Sequence, residues 1–277
     1  MIIDMHASMI PDDGDVITAR RRSRYLAADP AKTTLKPFLK RMDASCVDRS
    51  VVWWNGRSAE ECRHNNDFIA EMASMHPDRL IPFATLWPHD VDAARQEAIR
   101  AITVLDMAGI KLHPIVLGID IGDPAFLAVV ELARDLSVPF VTHVDFTVPA
   151  QLGKPELLDE RAVAAPSEPP YASAAQMIGV KEVWDSPKVQ AAHMGGLYLE
   201  EIRDSAITFQ TTGALRDVIQ WAVDAIGAER IVFGSDFPFF LVEDELAKVA
   251  SLSVSEVDKA AILSGNALQR VLPDAWV

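Results

Sequence analysis

Short apolar runs alternate with longer amphipathic segments along most of the chain. Apolar residues spaced three and four apart predict helices, whereas short apolar runs bounded by turn residues predict buried strands. The predicted strands lie at residues 2–6, 51–54, 80–86, 109–114, 138–143, 189–193, 206–210 and 230–235. The predicted helices lie at residues 34–45, 59–75, 90–107, 124–136, 171–183, 214–226, 242–251 and 255–271. Strands and helices therefore follow one another along nearly the whole chain.

The order of these elements indicates one fold class. The strands lack a strict polar–apolar alternation, which is typical of a parallel sheet covered on both faces. Eight β–α units in 277 residues fit an α/β fold, a (β/α)8 TIM barrel with C-terminal helices, in one domain over residues 1–277. An open doubly wound sheet is the alternative. No Gly-x-Gly-x-x-Gly follows the first strand, which removes the commonest cofactor signature of that alternative.

Two long segments interrupt this regularity, at residues 7–33 and 144–170. They follow predicted strands one and five, so in a barrel they lie on the catalytic face, and we expect them to cover the site and to set substrate choice. The first contains the only dense basic run, Arg20, Arg21, Arg22 and Arg24. This run is either a solvated loop or a lid that reaches a substrate carboxylate.

The net charge and the cysteine content limit the kinds of molecule that the protein is expected to bind and where it is expected to be found. The formal net charge of −14 disfavours nucleic acids and anionic membranes, whereas a small-molecule substrate fits. Neither Cys46 nor Cys62 has metal-site spacing, and two thiols make no disulfide framework. The sequence also shows no signal peptide and no apolar stretch of membrane-spanning length. We therefore expect a cytoplasmic protein.

Polar and aromatic side chains stand at the C-terminal ends of the predicted strands. In chain order they are His6, Trp54, Asn55, Trp87, Lys111, His113, His143, His193, Gln210 and Asp236. Each has a plainer interpretation: a histidine satisfied by hydrogen bonds, an aspartate that caps a turn, a lysine paired with a core carboxylate, or a tryptophan that packs. Together, imidazoles and a carboxylate that converge from different strands suit a divalent first-row metal.

The sequence resembles the amidohydrolase superfamily, in the branch typified by aminocarboxymuconate semialdehyde decarboxylase. Matching segments occur in family order at residues 3–6, 77–80, 109–114, 139–143, 192–196, 230–239 and 265–267. The resemblance implies a mononuclear metal, usually zinc, with His6, His143 and Asp236 as ligands and His193 as a catalytic residue. It also implies that the protein could form a homodimer.

One departure from the family pattern concerns the first strand. The family usually has His-x-His, but Ser8 stands at the second position. On a regular strand Asp4, His6 and Ser8 share a face, so the Ser8 hydroxyl is expected where an imidazole belongs, with Asp4 orienting the site. The remaining set can hold zinc, manganese or iron, more weakly than a complete set, and a protein without a bound metal is the alternative.

Three functions are compatible with these residues. The first is metal-dependent hydrolysis of a small amide, ester or lactone. The metal would activate water, Asp236 and His193 would serve in acid–base and electrostatic roles, Lys111 and His113 would hold the substrate, and Trp54 and Trp87 would wall the pocket. The alternative is non-oxidative decarboxylation of an aromatic or dienoic acid on the same residues. The third is an inert barrel that acts as a binding protein.

Overall fold

A computed structural model describes residues 1–11, 34–144, 177–194 and 204–277 of the chain. Eight strands form one sheet in sequential order, and each pairs in parallel with the next. They are β1 (Ile3–Ser8), β2 (Arg49–Trp53), β3 (Leu80–Thr85), β4 (Gly109–Leu112), β5 (Phe140–Thr142), β6 (Val189–Ala191), β7 (Thr208–Gln210) and β8 (Ile231–Val232). Every predicted strand is confirmed, although most are shorter than predicted.

The sheet closes on itself where β8 and the residues after it meet β1. Met5 N donates to Phe233 O at 2.9 Å, and Ser8 N donates to Phe237 O at 2.8 Å. Ala7 and Phe237 also form a parallel bridge. The predicted (β/α)8 barrel is therefore confirmed, and the open doubly wound sheet is wrong.

Helices connect the strands and cover the outside of the barrel. They are Leu35–Ala44, Ala59–Met75, Val91–Thr103, Pro114–Leu117, Pro124–Asp135, Met177–Val183, Arg216–Ile226, Val242–Ala250 and Glu256–Ala260. Ser58, Asp90 and Asp123 cap three of them through their side chains. The sequence did not predict the short helix after β4, and the last predicted helix continues beyond Ala260 as π-helical turns, Ala261–Gly265 and Ala267–Val271.

Apolar side chains form two clusters, one on each side of the sheet. The larger lies between the strands and the helices and includes Phe126, Phe140 and Phe209. The smaller fills the barrel interior and includes Met5, Val51, Trp53, Phe83 and Val232, with Ala267 and Val271 from the C-terminal turns packed against them. Both faces of the strands are thus buried, which explains their lack of alternation.

The register of β1 against β2 shifts by one residue between Asp4 and Ala7. Asp4 pairs with Ser50, whereas Ser8 pairs with Trp53. Ser50 and Trp53 are three residues apart on β2, so they face opposite sides of the sheet, and Asp4 and Ser8 do too. The expectation that Asp4 shares a face with His6 and Ser8 is therefore wrong. His6 packs against Trp53 and lies on the interior side with Ser8.

Some predictions lie outside the described residues. These are the basic run at Arg20–Arg24, most of the two long segments and the first half of the helix predicted at 171–183. Within the described ranges, no helix is long and apolar enough to cross a membrane.

Candidate active site

The barrel brings the predicted strand-end residues together at one mouth. His6 Nε2 lies 3.3 Å from Asp236 Oδ1, and His193 Nε2 lies 4.0 Å from Asp236 Oδ2. The His143 ring centroid lies 4.6 Å from that of His193, edge-on, and 4.0 Å from that of His113, on which the His143 ring stacks. Four histidines and a carboxylate, from strands far apart in sequence, therefore share one small volume.

The backbone after β6 and β8 adopts an unfavourable conformation in order to present these side chains. His193 has φ of 53° and Asp236 has φ of 54°, in the left-handed region that costs a non-glycine residue roughly 1–2 kcal/mol. Such strain is common at functional sites. Gly234 is required beside them, because a Cβ there would lie 2.8 Å from His6 Cβ and 2.7 Å from Thr212 Cγ2.

Hydrogen bonds to Thr212 and His143 determine which nitrogen of His193 carries the proton. His193 Nδ1 lies 2.9 Å from the Thr212 carbonyl oxygen, which can only accept, so Nδ1 is the donor. His193 Nε2 lies 2.9 Å from His143 Nδ1. In a neutral His193 ring, Nε2 accepts, so His143 Nδ1 donates and His143 Nε2 carries the lone pair.

Burial keeps the imidazoles of the mouth neutral. Burial, partly offset by the negative charge of Asp236, lowers the pKa of His193 to about 3. Burial and the positive charge of Lys111 hold the pKa of His6 well below its ordinary value. The pKa of His113 and that of His143 are also well below the ordinary range, first because of burial and then because Lys111 and the other imidazoles lie nearby and disfavour a further positive charge.

Lys111 is an amine buried in the barrel interior. Its side chain is fully buried, and its Nζ has no hydrogen-bond partner among the described residues. Nζ lies 5.0 Å from the centroid of the Trp53 ring, a cation–π contact. Burial lowers the pKa of Lys111 to about 7, and burial raises the pKa of Asp236 to about 6. The nearby Asp236 charge partly offsets the effect on Lys111.

Asp4 lies outside the mouth and connects β1 to the residues that follow β8. Its carboxylate accepts from Ser235 N, Ser235 Oγ and His6 N. Burial outweighs these bonds and raises the pKa of Asp4 to about 7. Asp4 thus binds the backbone of β1 and the residue before Asp236, and its role in orienting the site stays a prediction.

Trp53 lies on the opposite side of the barrel wall from Trp54 and Trp87. Trp54 and Trp87 pack against the larger cluster outside the strands. Trp53 instead faces the interior, with its ring 4.5 Å from that of His6 in an edge-on arrangement. The substrate-wall role of Trp54 and Trp87 stays a prediction, while sequence reasoning overlooked Trp53, because the facing of a strand-end residue depends on register. It also gave no role to Thr212.

The mouth contains the types of donor atom that bind a divalent metal, but its side chains are not arranged as a complete metal site. Among the described residues, no group of three or more His, Cys, Asp and Glu side chains could hold a metal ion as it stands. The 3.3 Å between His6 Nε2 and Asp236 Oδ1 is a separation that two ligands of one ion show with bonds of ~2.0–2.2 Å. The proposed set of His6, His143 and Asp236 thus fits in chemistry, and it stays a prediction.

Comparisons with known proteins agree on one family. The family model described as Amidohydrolase matches residues 3–271. The gamma-resorcylate decarboxylase of Rhizobium radiobacter is 24% identical over 275 residues, covering 83% of this chain and 84% of the relative. A crystal structure of 2,6-dihydroxybenzoate decarboxylase with 2,6-dihydroxybenzoate superposes with a TM-score of 0.73 at 21% identity, over 96% of this chain and 97% of that one. The 5-carboxyvanillate decarboxylase of Novosphingobium aromaticivorans, complexed with manganese and 4-hydroxy-3-methoxy-5-nitrobenzoic acid, has a TM-score of 0.75 at 16% identity, over 96% and 94%.

Proposed function

The chain belongs to the amidohydrolase family of enzymes, and on that premise we propose that it decarboxylates a small aromatic or dienoic carboxylic acid with a divalent metal. The relatives reported above are decarboxylases, so they favour this alternative over the hydrolysis that we placed first. No feature of the mouth favours an amide, ester or lactone specifically. The experiment described below therefore includes substrates for hydrolysis as a comparison.

The observation that carries the proposal is the unpaired Lys111 amine. A buried amine without a hydrogen bond is costly, and a substrate carboxylate that enters the mouth would pair with its protonated form. His113 Nδ1 is also buried without a partner among the described residues, and it can bind a further substrate oxygen. The Trp53 ring, within cation–π distance of Lys111, supports a flat conjugated substrate.

The proposed metal ligands are His6, His143 and Asp236. Manganese is favoured over zinc, because the Novosphingobium decarboxylase was crystallised with manganese. When bound, a divalent ion would supply a Lewis acid that orients the oxygen atoms of the substrate. Ser8 stands where the family has a second imidazole, so we assign the ligand position that this imidazole would fill to a substrate oxygen.

Decarboxylation requires a proton at the carbon that loses the carboxylate. His193 is poorly suited to supply it, because its Nδ1–H is held by Thr212 and its Nε2 accepts from His143. Asp236 is better suited, since its carboxyl group faces the same volume and can carry the proton. The proton adds to the ring carbon and the carbon–carbon bond breaks. The bonding pair stays on the ring, CO2 leaves, and solvent reprotonates Asp236.

The test compares two substrate panels on protein loaded with manganese or zinc. We expect CO2 release from one or more hydroxybenzoates or dienoic acids, and no turnover of lactones and amides. Asp236→Asn should abolish CO2 release, and the remote variant Lys259→Met should retain it. Turnover of the second panel alone would favour hydrolysis. Wild-type behaviour of Asp236→Asn and His193→Ala, with no metal bound, would favour a binding protein.

A further inference from the structure

We infer that Gln210 is a positioning residue that fixes the tautomer of His6, so that His6 offers Nε2 to the metal. The inference rests on the metal site of the proposed function, and it assigns to β7 a role that the ligand set does not include. It follows from a chain of hydrogen bonds across the barrel interior, through Gln190, Gln210 and His6.

The chain of hydrogen bonds is buried along its whole length. Gln190 and Gln210 are fully buried, and His6 is 3% exposed. His6 Nδ1 lies 2.5 Å from Gln210 Oε1. Gln210 Nε2 lies 2.8 Å from Gln190 Oε1 and 3.3 Å from the Met5 carbonyl oxygen. Solvent therefore does not compete for these groups.

The Met5 carbonyl decides the orientation of the Gln210 amide. A backbone carbonyl can only accept, so the Gln210 atom that faces Met5 is the amide nitrogen. The amide oxygen then faces His6, and His6 Nδ1 must donate the proton. In a neutral ring, Nε2 is left with the lone pair, and Nε2 is the atom 3.3 Å from Asp236 Oδ1.

This arrangement places two acceptors opposite each other. The His6 lone pair and the Asp236 carboxylate repel unless a proton or a cation lies between them. With the other tautomer, an Nε2–H would point at Asp236 and occupy the position of the ion. Gln210 thus selects the form of His6 that binds a cation together with Asp236.

The test reads the tautomer directly by long-range 15N–1H NMR of histidine-labelled protein without added metal. The His6 signals are assigned by their loss in His6→Ala. We expect the Nδ1–H form in the wild type. Gln210→Met removes the acceptor and should populate the Nε2–H form, and it should weaken manganese binding, followed by calorimetry, by about 10–100-fold. Gln210→Glu retains an acceptor and should retain the Nδ1–H form.

Gln190→Met provides a graded control. It removes one of the two acceptors of the Gln210 amide and leaves Met5, so a smaller change in both readouts is expected. An Nε2–H form in the wild type overturns the inference even if every variant fails to fold. So does a Gln210→Met protein that keeps both the Nδ1–H form and wild-type manganese affinity. Failure of the substrate panels with the expected tautomers would refute the decarboxylase and leave this inference standing.

Discussion

Asp4 accepts hydrogen bonds from both the backbone N–H and the hydroxyl of Ser235, at 2.8 and 2.5 Å. Asp4 lies two residues before His6, and Ser235 directly precedes Asp236. The pair therefore joins β1 to the chain beyond β8 and sets the spacing of two proposed metal ligands.

Two replacements of Asp4 distinguish the effect of the hydrogen bonds that it accepts from the effect of its negative charge. Asp4→Ala leaves two backbone N–H groups and a hydroxyl without their acceptor, so we expect a loss of roughly 2–4 kcal/mol in the free energy of unfolding. Asp4→Asn keeps one oxygen for the two N–H groups and can donate to Ser235 Oγ. Urea unfolding should place Asp4→Asn within about 1 kcal/mol of the wild type. Equal losses in the two variants would show that the negative charge of Asp4, rather than its hydrogen-bonding capacity, stabilises the contact with Ser235.

Replacement of Lys111 should affect activity and stability in opposite directions. Lys111→Met removes a buried amine without a hydrogen-bond partner among the described residues, so we expect a gain of about 1–3 kcal/mol in unfolding free energy. The same change removes the partner of the substrate carboxylate, so kcat/KM for the acid should fall by about 100-fold or more. Lys259→Met, on an outer helix, should change neither. Loss of stability in Lys111→Met would contradict the unpaired state of the amine.

A methyl group at Gly234 should disturb the mouth. Gly234→Ala introduces a Cβ that must displace His6 or Thr212, and we expect a loss of about 1–3 kcal/mol in stability. Metal affinity should fall with it, because a shift of either residue disturbs the mouth: His6 is a proposed ligand, and Thr212 binds His193. Gly179→Ala is the matched control, since its Cβ would meet only Leu127 Cδ1, at 4.0 Å. That helical site should gain up to about 1 kcal/mol. Thermal unfolding with and without manganese measures both effects.

Glu245 should make folding stability depend on pH. Its side chain is buried, and burial outweighs the contacts with Lys248 and Gly213 N and raises its pKa from 4.5 to about 7. Between these values the folded protein binds the proton more tightly than the unfolded chain, so stability falls as pH rises. Glu245→Gln keeps an acceptor for Gly213 N and does not titrate.

The measurement for Glu245 is the difference in unfolding free energy between Glu245→Gln and the wild type. This difference should shift in favour of the variant by about 1–3 kcal/mol from pH 4.5 to pH 7. A difference that stays constant across this window would show that Glu245 has its ordinary pKa in the folded protein.

Manganese should raise the melting temperature only when the ligand set is intact. An ion that binds the folded state alone stabilises it by about 2.7 kcal/mol at a concentration of 100 times Kd. We expect this shift in the wild type and its loss in Asp236→Asn and His143→Gln. An equal shift in His143→Gln would remove His143 from the set.

The sequence predicted the barrel and the composition of the mouth because both are local signals. An apolar run that ends in histidine or aspartate identifies a strand and the residue at its end. The side of the sheet that Trp53 or Asp4 faces is not a local signal, because it depends on a register shift between two strands. Thr212 and Gln190 act through hydrogen bonds to other strands, and these partners become visible only once the barrel is closed.

The contact between Asp4 and Ser235, which helps to close the barrel, also depends on the order in which the chain is synthesised. Asp4 and Ser235 are 231 residues apart, so the contact between them forms only after nearly the whole chain has left the ribosome. A nascent chain that ends before Ile231 already carries His6, Lys111, His143 and His193, but it lacks both Asp236 and the partner of Asp4. The complete set of proposed site residues and the contact between Asp4 and Ser235 therefore become available together, late in synthesis.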